Sequence, residues 1–262
     1  MLKGYVAELY RLRYFWLNLA RSDLSNRFRR SKLGILWSML TPLFLTIIIA
    51  TVFGTIFNTP MLELAPFILS GVIVWDIIVS SFVGGSNAIL SSEQYIRQAS
   101  HPLSIYTLRW AIVTCATFLI ALMSLIIWML FVSPTHIWVG LVVLPLNLLV
   151  YLILSWSITT FSAFINTKYR DYPQIIALLV QMLWFLSPVF FQRELFMANP
   201  ALERWFYYNP ITHLLELIRA PFLYGSLPTL RNYAISLMFA LGWALIAMLT
   251  SRLLKSKVIF YI

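Results

Sequence analysis

In NRFRRSKLGILWSMLTP, residues 26 to 42, four cations (Arg27, Arg29, Arg30 and Lys32) fall within six positions. No Asp, Glu, Lys or Arg then follows until Glu63. Such a cluster neutralises phosphate. At the foot of a long apolar run, each cation gains about 1 kcal/mol from anionic lipid headgroups and keeps the run from sliding inward. A second ionisable feature is Asp76 in GVIVWDIIVSS, deep inside another apolar stretch. An acid at mid-depth is costly and marks a functional position by default, the alternative being a neutral Asp that hydrogen-bonds two helices together. Aromatic residues make up 16% of the chain. Trp37, Trp75, Trp184, Phe185, Tyr207 and Tyr208 join Asp76 as candidates to line a path for a sugar polymer. Aromatic faces pack on the apolar faces of sugars, while indole N–H and phenol O–H groups hydrogen-bond. Interfacial belts are the competing reading of the same aromatics.

Other chemistry has no signature. There is no G-x-x-x-x-G-K-[ST], no H-E-x-x-H and no G-x-S-x-G, and the nearest glycine cluster is GGS at 84–86. His101, His136 and His213 stand far apart, and Cys115 is the lone cysteine. No catalytic residue, metal set or disulfide is expected. The net charge of +10 does not indicate nucleic acid, because the cations sit in short segments beside apolar runs, where they set topology.

The elements that must position these residues are membrane spans. Hydrophobic residues make up 61% of the 262 residues, charged residues 11%, and mean hydropathy is +0.84. Ordinary soluble domains are nearer half apolar and a quarter charged. Six spans are expected, at 33–57, 66–90, 106–132, 139–165, 174–192 and 233–253, all helical because a backbone in lipid must satisfy its own hydrogen bonds. The long charge-free stretch Trp110–Thr167 divides at SPTH, 133–136. Segment 1–32 holds eight Lys or Arg, against none in the hairpins 58–65 and 133–138. The positive-inside rule therefore predicts both termini in the cytoplasm, as an even number of spans requires. No removable signal peptide is expected. Tyr5, Leu9, Leu12, Trp16 and Leu19 form one stripe of a helix lying in the headgroup plane or capping the bundle. Within the long segment 193–232, ITHLLELIRAPFLYG (211–225) reads as a short helix ending before Pro221, too charged to cross and apolar enough to be buried against protein. The chain thus divides into an N-terminal amphipathic segment (1–31), a transmembrane domain (32–254) and a short tail (255–262).

Three segments together resemble the permease subunits of type II ABC exporters, especially those that export polysaccharide. They are DLSNRFRRSKLGILWSMLTP (23–42), IRQASHPLSIYTLR (96–109) and YYNPITHLLELIRAPFLYG (207–225). In the first, Arg27, Arg29, Ser31, Leu33, Gly34, Trp37 and Pro42 stand where the family has its basic segment, Leu-Gly, Trp and Pro. The resemblance implies a half-transporter that pairs as a homodimer and works with two copies of a separate cytoplasmic ATPase. That partner binds ATP and Mg, so this chain binds no cofactor and is not itself an enzyme. It implies that a helix at 91–102, carrying Glu93, Gln94, Tyr95, Arg97 and His101, meets the ATPase, and that 193–225 forms outer re-entrant helices. In such a transporter Arg27, Arg29, Arg30 and Lys32 are expected, from their charge, to border an inner mouth and attract the diphosphate of a lipid-linked glycan. The expected function is export of a lipid-linked O-antigen or capsular polysaccharide across a bacterial inner membrane. Alternatives are a teichoic-acid or drug/peptide exporter of the same class, or an integral membrane glycan-processing enzyme.

Overall fold

A computed structural model of the chain describes residues 10–29, 31–98, 101–191 and 200–258. Its described regular elements are all helical. Helix α1 is Arg13–Phe28, α2 Trp37–Phe57, α3 Met61–Val79, α4 Glu93–Gln98 and α5 Ser104–Val132. Then come α6 Pro134–Lys168, α7 Tyr172–Phe185, α8 Pro200–Tyr208, α9 Pro210–Leu223 and α10 Leu230–Leu254. A 3₁₀ turn, Gly34–Leu36, leads into α2, and α3 continues through a π turn, Ser80–Gly84, and a 3₁₀ turn, Gly85–Asn87.

Five stretches are long and apolar enough to cross a membrane: Gly34–Ile56, Met61–Asn87, Ser104–Val132, Pro134–Lys168 and Leu230–Leu254. Their breaks follow local chemistry. Asn58 takes a left-handed φ of 53° to close α2, and Pro60 opens α3. The SPTH division falls at Ser133, with Pro134 in the first turn of α6, where its missing N–H costs nothing.

The fifth expected span, 174–192, takes another form. Helix α7 has 14 residues, about 21 Å at ~1.5 Å per residue against ~30 Å of hydrocarbon. Pro188 disfavours helical backbone at Ser187, and the chain turns through 186–191 beside α3.

Helix α3 is the central element. Between Leu64 and Ile78 every residue but Asp76 is buried. At one end of the bundle Ala88, Ile89, Leu103, Tyr106, Phe164 and Val258 form a second cluster, against which Phe15, Leu19 and Leu254 pack. Helix α1 therefore caps the bundle with the side that carries Leu19, and residues from both ends of the chain meet there. Tyr5 and Leu9 of the predicted stripe lie outside the described residues.

Helix α9 runs through Pro221 instead of ending before it. The proline withholds the N–H that the Leu217 carbonyl would otherwise receive. Asn147 of α6 supplies a substitute, its Nδ2 donating to Leu217 O at 2.6 Å, while its Oδ1 accepts from the Tyr233 hydroxyl of α10 at 2.8 Å. One fully buried amide thus ties three helices. Asn147→Leu should cost about 2–3 kcal/mol, because it leaves that carbonyl and the Tyr233 hydroxyl without these partners. The check is the thermal unfolding midpoint in detergent; an unchanged midpoint contradicts this role.

Candidate functional site

A cleft of about 610 Å³ opens between α2, α3, α5 and α7. Trp37, Trp75, Asp76 and Trp184 all line it, with Ser38, Thr41, Thr117 and Gln181. Asp76 is the exposed residue of the buried α3 face: it opens onto the cleft and is not sealed between helices. Pro42 withholds the N–H that the Ser38 carbonyl would take from its own helix, and both residues line the cleft. Trp184 Nε1 is buried without a hydrogen-bond partner. Indoles, hydroxyls, an amide and one carboxylate suit a hydroxyl-rich ligand. No Lys or Arg lines the cleft among the described residues, so it offers a phosphate no counter-charge at mid-depth.

The other aromatics of the sequence reading lie elsewhere. Phe185 is 58% exposed and sits beside Trp184 at 5.7 Å between ring centroids, outside the lining. Tyr207 lines a separate cavity of about 710 Å³ with His213, Glu216 and Arg231. Tyr208 is exposed.

Ser31 also lines the cleft, and Arg29 and Lys32 next to it in sequence are exposed. The turn is shaped by Gly34, whose φ of +51° disfavours any side chain, and whose N–H donates to Ser31 Oγ at 3.2 Å. Arg30 and the side chain of Arg27 lie outside the described residues.

The short helix α4 carries Gln94, Tyr95 and Arg97 exposed, with Glu93 half-buried. Arg97 pairs with Glu93 at 2.9 Å, an exposed contact worth well under ~1 kcal/mol. Tyr95 and His101 both pack on Phe15 of α1, with ring centroids 6.3 and 5.0 Å away. The sequence reading missed Phe15, and also the ion pair beneath it. Arg109 of α5, with its side chain 5% exposed, meets Asp23 of α1 at 2.9 Å; its Nη2 also donates to Ser92 Oγ at 3.2 Å. One guanidinium therefore joins α1, the turn before α4 and the long helix α5. Burial raises the Asp23 carboxyl above its ordinary value, with Arg109 pulling it back only in part. No sequence pattern pairs these two distant charges: Asp23 lies in a basic segment between Arg21 and Arg27, and Arg109 at the edge of an apolar stretch.

This arrangement, an all-helical bundle with five helices able to cross a membrane and a cleft opening near exposed cations, is that of a multi-pass membrane protein. The chain belongs to the ABC-2 type transporter family, whose signature matches residues 13–223. It is similar to the O-antigen export system permease protein RfbA of Myxococcus xanthus, 24% identical over 223 residues and 85% of each chain. A protein of the same name from Klebsiella pneumoniae is 23% identical over 229 residues, 86% of this chain and 85% of the relative. The family expected from the three motifs is the family found.

Proposed function

We propose that this chain is the membrane-spanning permease half of an ATP-driven exporter of a lipid-linked polysaccharide, an O-antigen or capsular type. It sits in a bacterial inner membrane with both termini in the cytoplasm, a placement supported by the packing of Phe15 and Leu19 with Leu254 and Val258 in one cluster. Two copies pair, and two copies of a separate cytoplasmic ATPase bind ATP and Mg. The observation that carries the reading is the cleft. Trp37, exposed in the lining, offers its indole to sugar rings, half-buried Trp184 and buried Trp75 extend the aromatic wall, and Asp76 accepts hydrogen bonds from sugar hydroxyls. The similarity to O-antigen export permeases supports the substrate class.

In this reading the cations at 27–32 hold the diphosphate at the inner mouth while the cleft, lined by no Lys or Arg among the described residues, passes the sugar chain. Closure of the ATPases pushes on α4 and α1. Arg109 carries that displacement into α5, which forms one wall of the cleft.

The test is complementation in a strain deleted for this gene. The deletion should remove surface polysaccharide and accumulate lipid-linked glycan inside, and the wild-type chain should restore both. Trp37→Ala, at a 47% exposed position, should lower export roughly tenfold at unchanged membrane abundance, the size of one lost stacking contact. Unchanged surface glycan in the deletion, or ATP hydrolysis by the purified chain alone, contradicts the proposal.

A further inference from the structure

A third cavity shares no residue with the cleft. It is a groove of about 410 Å³ between the start of α5, the second half of α6 and the end of α10. Leu103, Trp156, Phe164 and Met248 make its walls apolar, and Ala244 and Ala247 leave it deep. At its basic end stand Arg252 of α10 and Lys255, the residue that caps α10 in helical backbone; both are exposed and three residues apart, so they share one face. No Asp or Glu lines the groove among the described residues. Ser104, also in the lining, is 8% exposed, and its Oγ is buried without a hydrogen-bond partner. It opens a 29-residue helix that has no capping side chain and no acidic residue in its first turn, so the positive end of that helix is uncompensated there.

We propose that this groove binds one anionic diacyl phospholipid of the surrounding bilayer. Its phosphate lies between Arg252, Lys255 and the Ser104 hydroxyl, and an acyl chain fills the groove. Length supports a bilayer lipid. From Ala244 to Lys255 the groove runs about 16 Å at ~1.5 Å per residue, close to half of the ~30 Å hydrocarbon thickness. It therefore matches one leaflet, whereas a polyprenyl carrier chain is longer than a leaflet. Charge supports an anionic head, since the rim offers two cations and a hydroxyl but, among the described residues, no carboxylate to balance an ammonium group. Such a lipid would fill the contact between α6 and α10.

The experiment is native mass spectrometry of the detergent-purified full chain after mixing with phosphatidylglycerol or phosphatidylcholine. The wild type should retain one phosphatidylglycerol per chain, preferred on the order of tenfold over phosphatidylcholine. The double variant Arg252→Gln/Lys255→Gln, at exposed positions that leave folding intact, should bring the ratio near one. Ala247→Phe should reduce retention of both lipids by filling the groove; if that variant fails to fold, the charge variant decides. Equal retention of the two lipids by the wild type, or an undiminished preference in the charge variant, overturns the proposal. Displacement of phosphatidylglycerol by equimolar undecaprenyl phosphate also overturns it, because the groove would then belong to the carrier lipid.

Discussion

Replacing Arg219 with Leu should cost on the order of 3–5 kcal/mol and lower the amount of folded chain in the membrane. Arg219 is 2% exposed. Its Nη1 donates to Pro188 O at 2.8 Å and its Nη2 to Val189 O at 2.6 Å and Phe67 O at 3.3 Å, while Nε donates to Ser70 Oγ at 3.3 Å. The guanidinium carbon also lies 3.7 Å from the centre of the Phe67 ring. The turn after α7 is buried in protein, where water cannot serve its carbonyls. Leucine would take these donors away from the buried Pro188 and Val189 carbonyls of the turn at ~1–3 kcal/mol each, and would lose the bond to Phe67 O and the stacking on the Phe67 ring as well. Arg219→Lys should recover only part of the loss, because one ammonium cannot reproduce a planar fork that serves four acceptors. Gly71→Ala should resemble Arg219→Leu: a Cβ there would overlap the Val189 carbonyl oxygen and crowd Arg219 Nη2 at 2.9 Å. The check is the unfolding midpoint in detergent for the three variants. Midpoints within error of the wild type would mean that the clamp holds nothing. The clamp also bears on function, because it sets where α7 stops and so where Trp184 meets the cleft.

The clamp also shows what the sequence could not reveal. Long charge-free runs and their Asn, Ser and Pro punctuation mark α2, α3, α5, α6 and α10, since lipid thickness imposes a length that hydropathy can measure. The shortness of α7 escapes the same measure. Residues 186–191, LSPVFF, stay apolar across the turn, and only a donor far along the chain makes a turn tolerable there. The acceptors of that donor are mostly main-chain carbonyls, which every residue has, so Arg219 carries no pattern beyond being a cation in an apolar segment. Candidate site residues divide along the same line. Trp75 and Asp76 are neighbours on one helix, but their meeting with Trp37 and Trp184 depends on how α2 and α7 pack around α3. Tyr207 and Tyr208 share the aromatic composition of the cleft and stand at other places in the fold.

The second large effect is expected at the Asp23–Arg109 pair, and it separates stability from coupling. Asp23→Ala alone should destabilise by roughly 2 kcal/mol or more, because Arg109 would remain charged, 5% exposed and held only by Ser92 Oγ. The double variant Asp23→Leu/Arg109→Met should regain most of that loss, since removing both charges also removes the cost of burying them. Asp23 itself points the same way. Burial, the larger influence, lifts its carboxyl above the ordinary 3.8, and the Arg109 charge only partly opposes it. The folded chain therefore takes up this proton before the unfolded chain does. The group's contribution to stability grows as pH falls through that raised value toward 3.8 and is absent above it. At neutral pH, then, the pair fixes a position more than it stabilises the fold. If it transmits motion from α1 and the turn before α4 into α5, the double variant should fold nearly as well as the wild type and still export poorly. Unfolding midpoints measured beside complementation of surface polysaccharide decide the matter. A double variant restored in both would reduce the pair to a packing contact, whereas stability without export assigns Arg109 to the coupling path.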